Sequence, residues 1–252
     1  MKLIVILLCL AIERYAGISS ALRRNDAIQA YLGHMHALVE KTKLPSAYLQ
    51  LAAYVLPAIF AFAIICWLTC SVAIGLFGVV LHGALLLYCL GPDNLYEHND
   101  SDISDDVFVS ANQRYFTVIF LYVMPFGFLL IMTYRLVAML CSMKDDIRFT
   151  AVTAPAQLLR DILEWVPARI SGLCYAVVGN FMPTFTYWLS HLFGNLDSSR
   201  SLLRETGALA YASVKTEKES TEGDDNLIAV IDRVMVVFCV IIAIFTLGAV
   251  VS

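Results

Sequence analysis

Seven ionisable side chains stand at the edges of long apolar runs in this sequence: Glu13, Arg14, Arg114, Arg135, Arg160, Glu164 and Arg169. Two chemistries suit such a set. Each charge can anchor a helix end among lipid headgroups, or several can converge into a polar pocket at a membrane face. Unpaired charge near hydrocarbon is strongly unfavourable, so partners are expected, with Glu13 meeting Arg169 or Glu164 meeting Arg14. Trp165 and Pro167 lie within the same stretch, "LEWVPAR", and complete the candidate ligand site or ion-pair cluster.

No other constellation offers catalysis. The phosphate-cradling GxxxxGK[ST], the dinucleotide GxGxxG, the zinc-protease HExxH and the nucleophile-elbow GxSxG are all missing. The cysteines (Cys9, Cys66, Cys70, Cys89, Cys141, Cys174 and Cys239) form no CxxC pair, lie in or beside apolar runs and read as small buried hydrophobes. His34 and His36 are two residues apart on an expected helix and face different ways, which argues against a shared metal. No catalytic residue, metal or cofactor is expected. The six acids of 93–106 have no Lys or Arg among them and read as a solvated loop.

The elements that must position these groups follow from composition. The 252 residues are 60% hydrophobic and 15% charged, with mean hydropathy +0.74. Soluble domains carry about 25% charged residues, so an integral membrane protein is expected, with the lipid bilayer as its first partner. A net charge of −4 gives no footprint for nucleic acid. The fold class expected is all-α: one polytopic membrane domain over 1–252, with four spanning helices at 49–69, 72–91, 115–134 and 231–251. Residues 44–92 contain no Asp, Glu, Lys or Arg, which suits two spans of about 20 residues each. The third span carries Pro125 and Gly127 at its middle, so a kink is expected there.

Shorter elements complete the chain. Residues 1–16 read as an apolar helix too short to span, and 20–40 as an amphipathic one with Ile28, Leu32, Met35 and Val39 at helical spacing. Glu164, Arg169, Pro167 and Pro183 interrupt the apolar character of 156–193. That segment reads as an interfacial or re-entrant pair of helices, hinged at Val166–Pro167 and ended by Gly179–Asn180. A further short segment carries Tyr187, Trp188 and Phe193 as interface anchors. Residues 213–226 read as a solvated linker.

"LEWVPARISGLCYAVVGN" resembles the AmpE family of bacterial inner-membrane proteins, which is related to the CobD/CbiB cobinamide-phosphate synthases. The opening "LIVILLCLAIERY", the central "NQRYFTVIFLYVMPFGFLLIMTYRLVA" and a last span preceded by Asp232–Arg233 are similar to that family as well, so the resemblance runs along the whole chain. It implies a multi-pass inner-membrane regulator of β-lactamase induction, working beside peptidoglycan recycling with a protein partner from that process or from elsewhere in the inner membrane. Where the synthases carry their Gly-Asp-Pro and Gly-Arg-Asp-Thr motifs, this chain reads "YAGISSALRRND" and "LGPDNLYEHNDSDISDD". The resemblance therefore implies a non-enzyme, with a synthase-like enzyme or a membrane assembly or transport subunit as alternatives.

Overall fold

Several prolines stand inside or beside predicted helices, and the chain treats them differently. A computed structural model describes residues 2–16, 26–42, 45–72, 76–90, 106–144, 146–217 and 223–251. Every regular element among them is helical. Pro57 lies inside a continuous helix, α3 (Ala47–Val72). Pro155 and Pro167 both lie inside another, α8 (Thr150–Val178). Among the prolines in the described helical segments, Pro125 is the one that breaks the backbone. The α6 helix (Thr117–Val123) stops two residues before it, Phe126 takes a left-handed conformation at φ 57°, and α7 (Gly127–Ser142) starts afresh. A proline has no N–H to donate and its ring crowds the carbonyl four residues back, while the residue before it is pushed out of the helical region.

Two expectations are corrected by these observations. The segment 115–134 is not one kinked span but two helices separated at Pro125–Phe126. Residues 156–178 are not hinged at Val166–Pro167: α8 passes through Pro167 unbroken, with Pro167, Ala168 and Arg169 all buried. The predicted stop at Gly179–Asn180 is where the structure puts it, and α9 (Phe181–His191) follows.

The chain divides into two units. Unit 1 comprises residues 1–92 and 124–160, and unit 2 comprises 93–123 and 161–252. In unit 1, α1 (Lys2–Ala16) packs on α4 (Leu76–Cys89), α4 and α3 both pack on α7, and α2 (Asp26–Thr42) packs on α3. The apolar stripe of α2, Ile28, Leu32 and Val39, enters a core with Leu51, Val55, Leu136, Leu140 and Phe149. The Tyr31 hydroxyl donates to the Tyr54 carbonyl at 2.8 Å, and His36 Nδ1 lies 2.9 Å from the Tyr54 hydroxyl, so polar contacts fix the register of α2 on α3. His34 is exposed, which separates the two histidines.

In unit 2, α5 (Asp106–Ala111) leads through a π-helical turn (Asn112–Phe116) into α6. The α10 helix (Ser198–Glu217) packs against α5, α9 and α11 (Gly223–Val251), and α6 also touches α11. Phe108, Phe116, Tyr175 and Phe238 make the aromatic centre, with ring centroids 4.9 to 6.5 Å apart. Helices approach closely at glycines. A Cβ on Gly207 would lie 2.3 Å from the Phe108 ring, and one on Gly179 would lie 2.4 Å from the Ala210 backbone. The polar segment 213–226 is shorter as a connection than expected, since α10 runs to Glu217 and α11 begins at Gly223.

Two helices are long and apolar enough to cross a membrane, over Ala47–Ile64 and Ala229–Thr246. They correspond to the first and last expected spans. The second expected span contains α4, whose 14 residues extend about 21 Å against a hydrocarbon core of about 30 Å. The acidic segment 93–105 and the side chains of Arg14, Cys66 and Cys70 lie outside the described residues. Cys9, Cys89, Cys141 and Cys174 are buried free thiols, and Cys239 is half-buried.

Candidate functional site

The nine predicted site residues fall into the two units. Glu13, Arg135 and Arg160 belong to unit 1; Arg114, Glu164, Trp165, Pro167 and Arg169 belong to unit 2; the Arg14 side chain is outside the described residues. Glu13 is buried at the end of α1, close enough to Cys9 to raise its thiol, which burial alone already pushes up, to about 11. Arg135 and Arg160 are half-buried, as is Arg114 in the π turn.

Within unit 2, α8 carries its polar groups in two directions. At about 100° per residue, Arg169 sits roughly 140° around the helix from Glu164. The Arg169 side turns toward the loop after α9. There Arg169 is 4% exposed and its guanidinium is fully engaged by neutral partners. Nε donates to the Leu192 carbonyl at 3.3 Å, and Nη1 donates to the Trp165 carbonyl at 3.3 Å and to the Ser199 hydroxyl. Nη2 donates to the Gly194 carbonyl at 3.2 Å, the Ser198 hydroxyl at 3.3 Å and the Asn195 carbonyl at 3.5 Å. The guanidinium carbon lies 4.4 Å from the Trp165 ring centre, a cation–π contact. Trp165 Nε1 donates to the Gly194 carbonyl, and Trp188 Nε1 donates to the Arg169 carbonyl at 2.8 Å. Arg169 thus ties off the carbonyls at the end of α9 and seats the following loop. No donor is left over for a ligand, so in this geometry Trp165 and Arg169 are structural.

The other side of α8 carries Glu164, Ser171 and Tyr175, spaced seven and four residues apart and so on one face. This face meets the π turn. Gln113 Nε2 donates to Glu164 Oε2 at 3.1 Å, the Ser171 hydroxyl donates to Asn112 Oδ1 at 2.9 Å, and Asn112 Nδ2 donates to Thr117 Oγ1 at 3.3 Å. Glu164 is 4% exposed, and Asn112, Thr117 and Ser171 are fully buried. The π turn is what lets two adjacent residues, Asn112 and Gln113, both reach α8; such turns are rare and gather at functional sites. The Tyr175 hydroxyl, on the same face, is buried without a hydrogen-bond partner among the described residues. The result is a carboxylate, two amides and three hydroxyls gathered on one buried face. Among the described residues no three His, Cys, Asp or Glu side chains gather as metal ligands do.

Sequence reasoning found Glu164 but missed Asn112, Gln113, Thr117 and Ser171. A search for charged groups passes over amides and hydroxyls, although "NQRYF" at the head of an apolar run offered the signal. Of the three expected interface anchors, Tyr187 stacks on His191 and Trp188 is tied to Arg169, while Phe193 stands 90% exposed.

No curated protein and no solved structure matches the chain. The family model described as "Regulatory signalling modulator protein AmpE" matches residues 106–251, which takes in all of the described part of unit 2. That match covers more than half of the sequence and includes both the π turn and the polar face of α8, and on it the chain belongs to the AmpE family of regulatory signalling modulators.

Proposed function

We propose that this protein is a multi-pass protein of the bacterial inner membrane that modulates β-lactamase induction within peptidoglycan recycling, acting as a regulator through a protein partner. One observation carries the membrane part. An apolar core helix of a soluble protein is mostly buried, yet only 17% of Ala47–Ile64 and 28% of Ala229–Thr246 is buried. The uncovered faces are continuous apolar stripes: Leu49, Leu56, Phe60 and Ile64 on α3, and Val236, Val240 and Ile244 on α11. In water such stripes would be an aggregation liability, whereas in a bilayer they are the ordinary outer surface. The regulatory part rests on the family, with the buried polar face of α8 around Glu164 as the element that responds to the signal.

The test is deletion of the gene in a cell that carries it. β-Lactamase expression is measured with and without an inducing β-lactam, and the membrane fraction is washed with alkaline carbonate. The expected result is altered induction, restored by the wild-type gene, and a protein that stays with the membrane. Unchanged induction would overturn the regulatory assignment, and release by carbonate would overturn the membrane one.

A further inference from the structure

The amphipathic character of α8 in unit 2 is inverted. Its outward residues are Ile162, Val166 and Val177, and its inward ones include Glu164, Ser171 and Tyr175. The α9 helix continues the pattern, with Phe181, Met182 and Leu189 outward and Phe193 beyond its end. In the 32 residues from Ile162 to Phe193 the only Asp, Glu, Lys or Arg are Glu164 and Arg169, each 4% exposed. At the usual charged fraction of about 25%, a stretch of that length would carry about eight charges. The outward surface of α8 from Ile162 onward and of α9 therefore holds no Asp, Glu, Lys or Arg, and both such charges in the stretch point inside. The same unit shows the ordinary pattern elsewhere: on α10, Arg204 and Glu205 are exposed.

From this we infer that the outward face of α8 from Ile162 and of α9 is a lipid-contact surface, buried in bilayer hydrocarbon. Neither segment is among the helices long and apolar enough to cross a membrane: α9 has only 11 residues, and α8 carries Arg160, Asp161, Glu164 and Arg169. Glu164 and Arg169 are the ones an embedded segment must turn inward, because a charge facing acyl chains is strongly unfavourable while one facing a polar interior is tolerated. The Asn112–Ser171 network and the Arg169 cage supply that interior. Lipid is favoured over a soluble protein partner by the lack of formal charge: the exposed polar residues of this stretch, Asn180, Thr186 and Ser190, are all neutral, whereas protein interfaces ring an apolar centre with polar and charged residues.

The inference rests on the membrane reading proposed above, and the experiment separates the two. Full-length protein carrying p-benzoylphenylalanine at position 162, 166 or 177 is reconstituted in vesicles of phosphatidylcholine and phosphatidylglycerol, irradiated and analysed by mass spectrometry. The same residue at position 240 on α11 reports the long apolar helix, and at position 204 on α10 it reports water. All of these positions are outward, so the protein folds with the probe in place. Phospholipid adducts at 162, 166, 177 and 240 but not at 204 are expected. Adducts at 240 without any at the α8 positions would overturn this inference and leave the long helices in the membrane. A protein–protein cross-link at 166 would overturn it in favour of a second copy. Adducts at none of the sites would overturn both readings.

Discussion

Arg169→Ala separates a structural arginine from a ligand-binding one. The wild-type guanidinium makes six hydrogen bonds to five neighbouring residues and the Trp165 carbonyl, and it stacks on the Trp165 ring at 4.4 Å. A hydrogen bond from a charged donor contributes about 1.5–3 kcal/mol net. Most of these run at 3.2 to 3.5 Å, the long end of the range, and they share one cation, so their energies do not add. Alanine removes the charge itself and leaves several buried carbonyls and hydroxyls unpaired at about 1–3 kcal/mol each; because these losses do not add, about 3–5 kcal/mol in total is the loss expected. Lysine keeps the charge but has three donors on a flexible stem in place of a planar fork, so Arg169→Lys should lose roughly half as much. At about 2–4 °C per kcal/mol, alanine lowers the melting temperature by roughly 6–20 °C. The assay is thermal unfolding in detergent followed by tryptophan fluorescence, because Trp165 and Trp188 both report on this cage. An alanine variant that melts within about 2 °C of wild type yet loses its effect on β-lactamase induction would refute the structural assignment and return Arg169 to the ligand site.

Three further outcomes follow from the packing. Asn112→Leu strips partners from the Ser171 and Thr117 hydroxyls and should destabilise by about 2 kcal/mol. Combining it with Ser171→Ala should then cost less than the sum in a double-mutant cycle of unfolding, and strict additivity would show that the network is not formed. Gly207→Ala drives a methyl into the Phe108 ring and should cost about 1–3 kcal/mol, recovered in part by Phe108→Leu, whereas Gly179→Ala meets the α10 backbone and should have no such side-chain rescue; equal stability of all these variants would refute the close approaches. The Asp146 carboxylate accepts from the Arg148 guanidinium at 2.6 Å and from the Arg148 backbone N–H at 3.0 Å, and these bonds hold its pKa below the ordinary carboxylate value. A lowered folded-state pKa means that the charge-dependent contribution is present above the ordinary value and lost as pH falls through the folded one. The stability gap between wild type and Asp146→Asn should therefore shrink on acidification, and a gap that persists in strong acid would refute the pairing.

The sequence made the helical class and the first and last long helices legible, because those depend on length and apolarity alone and no tertiary contact overrides them. Proline was less legible. The same residue type breaks the chain at Pro125 and passes unnoticed at Pro167, and the difference lies in surroundings that no local pattern displays. At Pro125 the chain leaves unit 2 for unit 1, whereas Pro167 is buried between Trp165 and Arg169, whose bonds to the 192–199 loop hold both flanks in helix. The site was half legible. Charge drew notice to Glu164 and Arg169 together, yet they face different sides of α8 and do different work.

Periodicity alone also leaves the orientation of α8 open. A wheel for α8 separates an apolar arc from a polar one correctly, but periodicity carries no sign: it cannot say which arc faces inward. For a helix at a water surface the apolar arc turns in, and for a helix in lipid the polar arc does. Here Glu164 and Ser171 are inside while Ile162, Val166 and Val177 are outside. On the inference drawn above, the solvent, more than the sequence pattern, decides the orientation of this face.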